Sequence, residues 1–187
     1  MFNLIIMFMK RLIILLVIIL AAFGAYYLLS DKVLVSYYSA KTDQAKDTVQ
    51  AYVDKADEYK DKIKEDATNF DYRVELARSY EYMGRIDKAI ATYQEVGDDV
   101  TDDIAYVYHN NLGKLYEKKG EWQKAIDEYQ AIADKFPDQY VAVHLNLANA
   151  YLELNNVEQA QQEYFYYRSA TGNGDGAFEQ RLENFTK

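Results

Sequence analysis

Few residues of this chain could do chemistry. His109 and His144 are its two histidines, and it has no cysteine. Disulfides, thiolate metal sites and a cysteine nucleophile are thereby excluded. Zinc needs several His, Cys or carboxylate ligands drawn together, and neither histidine has such a cluster near it in sequence. The two imidazoles are expected to pack against helices. Asn173-Gly174-Asp175-Gly176 has the look of a calcium loop, but Thr171 stands where the first acidic ligand belongs and Leu182 where the bidentate glutamate belongs. No Gly-x-Ser-x-Gly, phosphate loop or dinucleotide fingerprint occurs. No catalytic residue, cofactor, metal or small-molecule substrate is expected, and the chain reads as a protein that binds rather than catalyses.

The elements that carry these residues are helical. Half of the 187 residues are apolar or aromatic, with one proline and eight glycines, which suits helices and not a turn-rich β fold. The 19 tyrosines fit a thin two-layer array, because each ring can pack while its hydroxyl stays near water. The net charge is −9, and Lys10 and Arg11 lie beside the apolar N-terminus, so the part after Ser30 is more acidic still. Nucleic acid, which requires a basic face, is not an expected partner.

Self-similarity is the strongest internal signal. Leu76, Tyr80, Gly84, Ala89 and Tyr93 recur as Leu112, Tyr116, Gly120, Ala125 and Tyr129 at a constant offset of 36. They recur again as Leu147, Tyr151, Asn155, Ala160 and Tyr164 at a further offset of 35. Gly84 and Gly120 fall where a left-handed residue must end a first helix, and Asn155 can adopt that conformation too. Ala89, Ala125 and Ala160 are small because helices must approach closely there. Each helix pair cannot bury its Leu–Tyr face alone, so stacking makes the core.

These residues resemble the tetratricopeptide-repeat (TPR) motif, W-x2-L-G-x2-Y followed by Ala, an aromatic and a closing Pro. The middle repeat carries Leu112-Gly113, Tyr116, Gly120-Glu121-Trp122, Ala125, Tyr129 and Pro137. His109 and His144 replace the first aromatic, Ala77 and Ala148 replace the small glycine, and periods of 35 and 36 imply lengthened links. The resemblance implies an all-α fold: a right-handed superhelical array of three helix–turn–helix units at about 70–103, 106–139 and 141–174. It also implies a concave surface, lined by each first helix, that receives a peptide or helix. Carried over by position, that groove holds Val74, Arg78 and Tyr82, then Asn110, Lys114 and Lys118, then Leu145, Asn149 and Leu152, with Asn111 and Asn146 nearby. It would be more basic and amide-rich than the acidic whole, suited to an acidic segment. The other reading is a plain solvent-facing helix surface. The carboxylate clamp of chaperone-binding members is not matched, since Val74, Arg78, Ala142 and Asn146 stand at its places.

Outside the repeats, Leu12 to Leu29 form an uncharged run of eighteen, about 27 Å as a helix against roughly 30 Å of hydrocarbon. Residues 1–30 are expected to be a signal-anchor that spans the inner membrane once. Lys10 and Arg11 place the N-terminus in the cytoplasm and the repeats in the periplasm. The alternative is a signal peptide cleaved after Gly24, with Ala22 and Gly24 as the small residues. Residues 31–68 predict a juxtamembrane helical stalk with Tyr38, Thr42, Ala45, Val49, Tyr52, Ala56, Tyr59 and Ile63 on one stripe. That helix is either a solvated stalk or a seam that folds back on the repeats or meets a partner. Residues 175–187 predict a capping helix with Phe178, Leu182 and Phe185 on one side. The expected function is a membrane-anchored scaffold or adaptor for another protein, serving a membrane or envelope complex. The same parts with opposite topology would make a cytosol-facing receptor for chaperones or precursors.

Overall fold

The computed structural model describes residues 31–186 and, ahead of them, Ile18 alone; the predicted span at 12–29 otherwise lies outside the described residues. Among the described residues there are nine α-helices and no strand. They are α1 Asp31–Thr42, α2 Lys46–Glu65, α3 Phe70–Tyr82, α4 Ile86–Gln94, α5 Asp102–Lys119, α6 Trp122–Lys135, α7 Ala142–Glu153, α8 Val157–Thr171 and α9 Gly176–Thr186. The pairs α3–α4, α5–α6 and α7–α8 are the three repeats, and every helix packs on its neighbours in sequence. The lengthened link between the first two repeats holds a 3-10 turn, Gly97–Asp99.

Local chemistry explains the helix ends. Asn69 accepts a hydrogen bond from the Asp71 amide (3.1 Å) and starts α3. α5 opens with Asp102 and Asp103 and closes with Lys118 and Lys119, as the helix dipole favours. The intra-repeat turns repeat one geometry. Gly84, Gly120 and Asn155 have φ of 67°, 71° and 56°. The next amide reaches back to a tyrosine carbonyl each time: Arg85 to Tyr80 (2.8 Å), Glu121 to Tyr116 (3.0 Å) and Asn156 to Tyr151 (2.9 Å). The tyrosine four residues ahead of the turn therefore supplies both a core ring and the carbonyl that closes the helix.

The small positions are contact points. Ala89, Ala125, Ala148 and Ala160 are fully buried. In the middle repeat the contact is tighter still: a Cβ on Gly113 would lie 2.4 Å from the Tyr129 ring. Repeats one and two are also bonded to each other, Asn111 donating to the Tyr93 hydroxyl (2.9 Å) and Gln94 to the Tyr116 hydroxyl (3.0 Å). Burial pushes the Tyr93 hydroxyl up to about 12, against a smaller opposing effect of Asn111.

The segment before the repeats departs from a solvated stalk. α2 packs on α3 as extensively as the helices of one repeat pack on each other, with Val49, Val53 and Ala56 in the same core as Leu76 and Tyr80. The predicted stripe is also not one helix, because it breaks at Asp43, whose φ is 54°, and Ala45 is exposed. Asp43 takes the left-handed conformation between α1 and α2 that Gly84 takes between α3 and α4, so the segment is a helix–turn–helix layer on the N-terminal end of the array. At the other end α9 buries Phe178 against Ala148, Leu152, Ala160 and Tyr164. Leu182 is partly buried, and Phe185, expected on the packed side, stays 43% exposed.

Candidate functional site

The surface to which the sequence points is the face formed by α3, α5 and α7, the first helices of the three repeats. Two of its expected residues are core. Val74 and Leu152 are buried, Leu152 completely, Val74 in the core that includes Val49 and Val53 of α2 and Leu152 in the cluster with Phe178 of α9. Tyr82 is exposed and stacks on Tyr52 of α2, with ring centroids 4.3 Å apart. Asn111 turns to Tyr93, so it joins repeats and is not free to meet a ligand. Leu145 is partly exposed.

The expected basic character is largely neutralised. Arg78 pairs with Glu75 (2.6 Å), which also faces Lys55 of α2 (3.7 Å). Lys118 pairs with Glu81 across the first two repeats. Asn149 donates to the Leu145 carbonyl (2.9 Å) and accepts from Arg181 of α9, whose other nitrogen meets Glu153 (2.7 Å). Glu75, Glu81, Glu117, Glu153 and Arg181 also contact the residues of this face or line its cleft, and the position-by-position reading missed them. A signal for some existed, since Glu81 and Glu117 are separated by the repeat offset of 36 and Glu75 lies one turn before Arg78.

Mid-groove is different. Asn110 and Lys114 lie one turn apart on α5, and among the described residues the side chains of Asn110 and Asn146 make no hydrogen bond and Lys114 no ion pair. Beside them is a cleft of about 260 Å3 lined by Glu117, Trp122, Asn146, Asn149, Glu153 and Arg181. Burial holds the Glu117 carboxyl above its ordinary range, opposed in part by the Tyr129 hydroxyl and the Lys114 charge. An amide can donate to and accept from a peptide backbone, and an ammonium can take a carboxylate, so this stretch can hold an extended segment.

The residues weighed for metal chemistry have other partners. His109 Nδ1 lies 2.7 Å from Glu128 and His144 Nδ1 2.6 Å from Glu163, each tying the first helix of a repeat to its second. His144 also packs on the Tyr166 ring, 4.1 Å between centroids. Asp175 accepts from the Phe178 amide (2.8 Å) and so caps α9, while its own amide donates to the Tyr164 hydroxyl (2.7 Å). Among the described residues no group of three or more His, Asp or Glu is placed to hold a metal.

Comparison with known families agrees with the helix pairs. Residues 71–100 match the tetratricopeptide repeat, and so do residues 112–165. No curated protein matches the chain. Stacked helix pairs, left-handed turns at the repeat offset, small residues at the close contacts and these two matches have one common explanation: the chain is a tetratricopeptide-repeat protein, a scaffold for protein–protein interaction.

Proposed function

We propose that this protein is a non-catalytic adaptor, held at the inner membrane by residues 12–29, whose repeats face the periplasm and receive an extended segment of another protein in the concave groove. Its role would be that of an accessory or assembly subunit of a membrane or envelope complex. The observation that carries the groove reading is the trio Asn110, Lys114 and Asn146, whose side chains make no hydrogen bond or ion pair among the described residues, beside the cleft at Glu117, in a face where Arg78, Lys118 and Asn149 are paired. The partner segment lays its backbone on the amides and one carboxylate on Lys114. Anchoring rests on the uncharged run from Leu12 to Leu29 behind Lys10 and Arg11. Among the described residues no helix is long and apolar enough to cross a membrane.

Two measurements bear on this. Replacing Asn110, Lys114 and Asn146 together by alanine is expected to lower recovery of the protein's partners from detergent extracts by about tenfold or more, about 1.4 kcal/mol. Lys124→Ala, on the second helix of the middle repeat, is the control. Equal recovery by a folded triple variant would move recognition off the groove. The full-length protein is further expected to stay with membranes through alkaline carbonate washing, and its repeats to be digested by protease added to intact spheroplasts. Protected repeats would make it the cytosol-facing receptor, and a mature N-terminus at Ala25 would turn the anchor into a cleaved signal.

A further inference from the structure

A second surface lies on the other side of α3. Leu76 and Tyr80, one turn apart, point away from Arg78 and form the floor of a furrow between α2 and α4. The furrow holds a cavity of about 470 Å3 over Ile63, Leu76 and Ala91, and a smaller one of about 240 Å3 next to it, with Lys60 and Tyr80 shared by both. Three cations surround that one tyrosine. Arg85, Lys88 and Lys60 lie 5.1, 5.7 and 5.9 Å from the ring centroid.

In a chain of net charge −9 such a cluster is expected to attract carboxylates, yet two of its members have none. Lys60 takes Asp57 (2.7 Å) and Lys64, on the same rim, takes Asp61 (2.7 Å). Arg85 and Lys88 form no ion pair among the described residues. Asp87, the acid next to them in sequence, is turned to Lys119 of the following repeat (2.7 Å). Burial, then the charges of Arg85 and Lys60, depress the Lys88 ammonium below its ordinary value, as expected where cations gather without a counter-charge. Glu95, two turns beyond Lys88 at the end of α4, also lines the cavity.

We propose that this furrow is a second protein-docking surface and that its occupant is an acidic, apolar peptide segment. A carboxylate of the segment sits between Arg85 and Lys88 at the Tyr80 ring, and a neighbouring aliphatic side chain fills the cavity over Ile63, Leu76 and Ala91. Charge complementarity selects the acidic group, and the aliphatic floor selects what accompanies it. A small inorganic anion would satisfy the cations and leave the cavity empty. A polyanion such as nucleic acid would meet the acidic remainder of the chain. The proposal is independent of the concave groove, whose residues lie on the opposite side of α3.

The test is anisotropy of a fluorescein-labelled decapeptide of alternating Glu and Leu with the full-length Asn110/Lys114/Asn146 alanine variant, whose concave groove has lost the side chains proposed to hold a carboxylate segment. Binding is expected, weaker at high salt, with no binding of the corresponding Lys/Leu or Glu/Ser decapeptides. Arg85→Gln with Lys88→Gln, added to that variant, is expected to weaken it by about tenfold or more. Arg85 also stacks on Tyr38 of α1, 5.3 Å from its centroid, so the double variant could loosen that helix. Lys88→Glu alone, at an exposed position, is the second variant and is expected to weaken binding with an unchanged melting curve. The proposal is overturned if the peptide does not bind or if the folded Lys88→Glu protein binds it as tightly as before. Displacement by inorganic phosphate as effective as by unlabelled peptide would equally overturn it and make the cluster a small-anion site.

Discussion

Val49→Asp is expected to destabilise the whole repeat array by at least about 3 kcal/mol, because it leaves a carboxylate buried without a partner. Val49 is in α2 and has no exposed surface, in one core with Val53, Ala56, Leu76 and Tyr80. A charge there either drags water into the seam between α2 and α3 or detaches the N-terminal layer and uncovers the apolar face of the first repeat. Chemical denaturation followed by circular dichroism measures the effect as a lower midpoint for the single transition of the domain. Thr48→Asp, one residue away and exposed, is the matched control and should change little. Equal midpoints for the two variants would mean that α2 is a solvated stalk after all.

Tyr129→Ala is expected to cost about 3–5 kcal/mol, the usual result of emptying a buried aromatic site. That is a large fraction of the roughly 5–15 kcal/mol that holds a typical domain folded, so the variant should melt well below the wild type. Tyr129 has no exposed surface, and its ring lies where any side chain on Gly113 would have to go. No neighbour is placed to refill the space, since glycine faces it and the surrounding core residues already pack on one another. Burial also raises the phenol's ionisation well above its ordinary value, with the Glu117 carboxylate adding to the shift. Phe165→Ala is the comparison: an aromatic of the following repeat that is 71% exposed, whose loss is expected to stay within about 0.5 kcal/mol. Similar melting curves for the two would show that the ring at 129 does not knit the middle repeat together.

The repeat itself was legible in the sequence because its causes are local. A residue that must adopt a left-handed conformation, a tyrosine four residues before it, and an alanine where two helices touch are fixed by geometry within a few turns, and they recur at 35 and 36 residues. Gly84, Gly120 and Asn155 end their helices, and Ala89, Ala125 and Ala160 are buried, for reasons that need no knowledge of a neighbouring repeat. The apolar stripe of α2 was legible too, but not what it would pack against. A stripe states that a helix has a face to bury and leaves the partner open.

The groove shows the same division more sharply. Position in the repeat named the helices that line it, yet Val74 and Leu152 proved to be core, clustered with residues of α2 and with Phe178 of α9 respectively. Asn111 went to Tyr93, Lys118 to Glu81 and Asn149 to Arg181, across separations of 18, 37 and 32 residues. Of the cations around Tyr80, Arg85 comes from the turn before α4 and Lys88 from α4 itself, and Lys60 joins them only because α2 packs on α3. Sequence alone determined the helices of the repeats, their turns and the order in which they stack, since each depends on backbone conformation and side-chain size within one unit, but not the break at Asp43 in the layer before them. Only the tertiary structure decided which polar groups are already satisfied and which still face a partner, because that depends on how far each helix is rotated and translated against its neighbours.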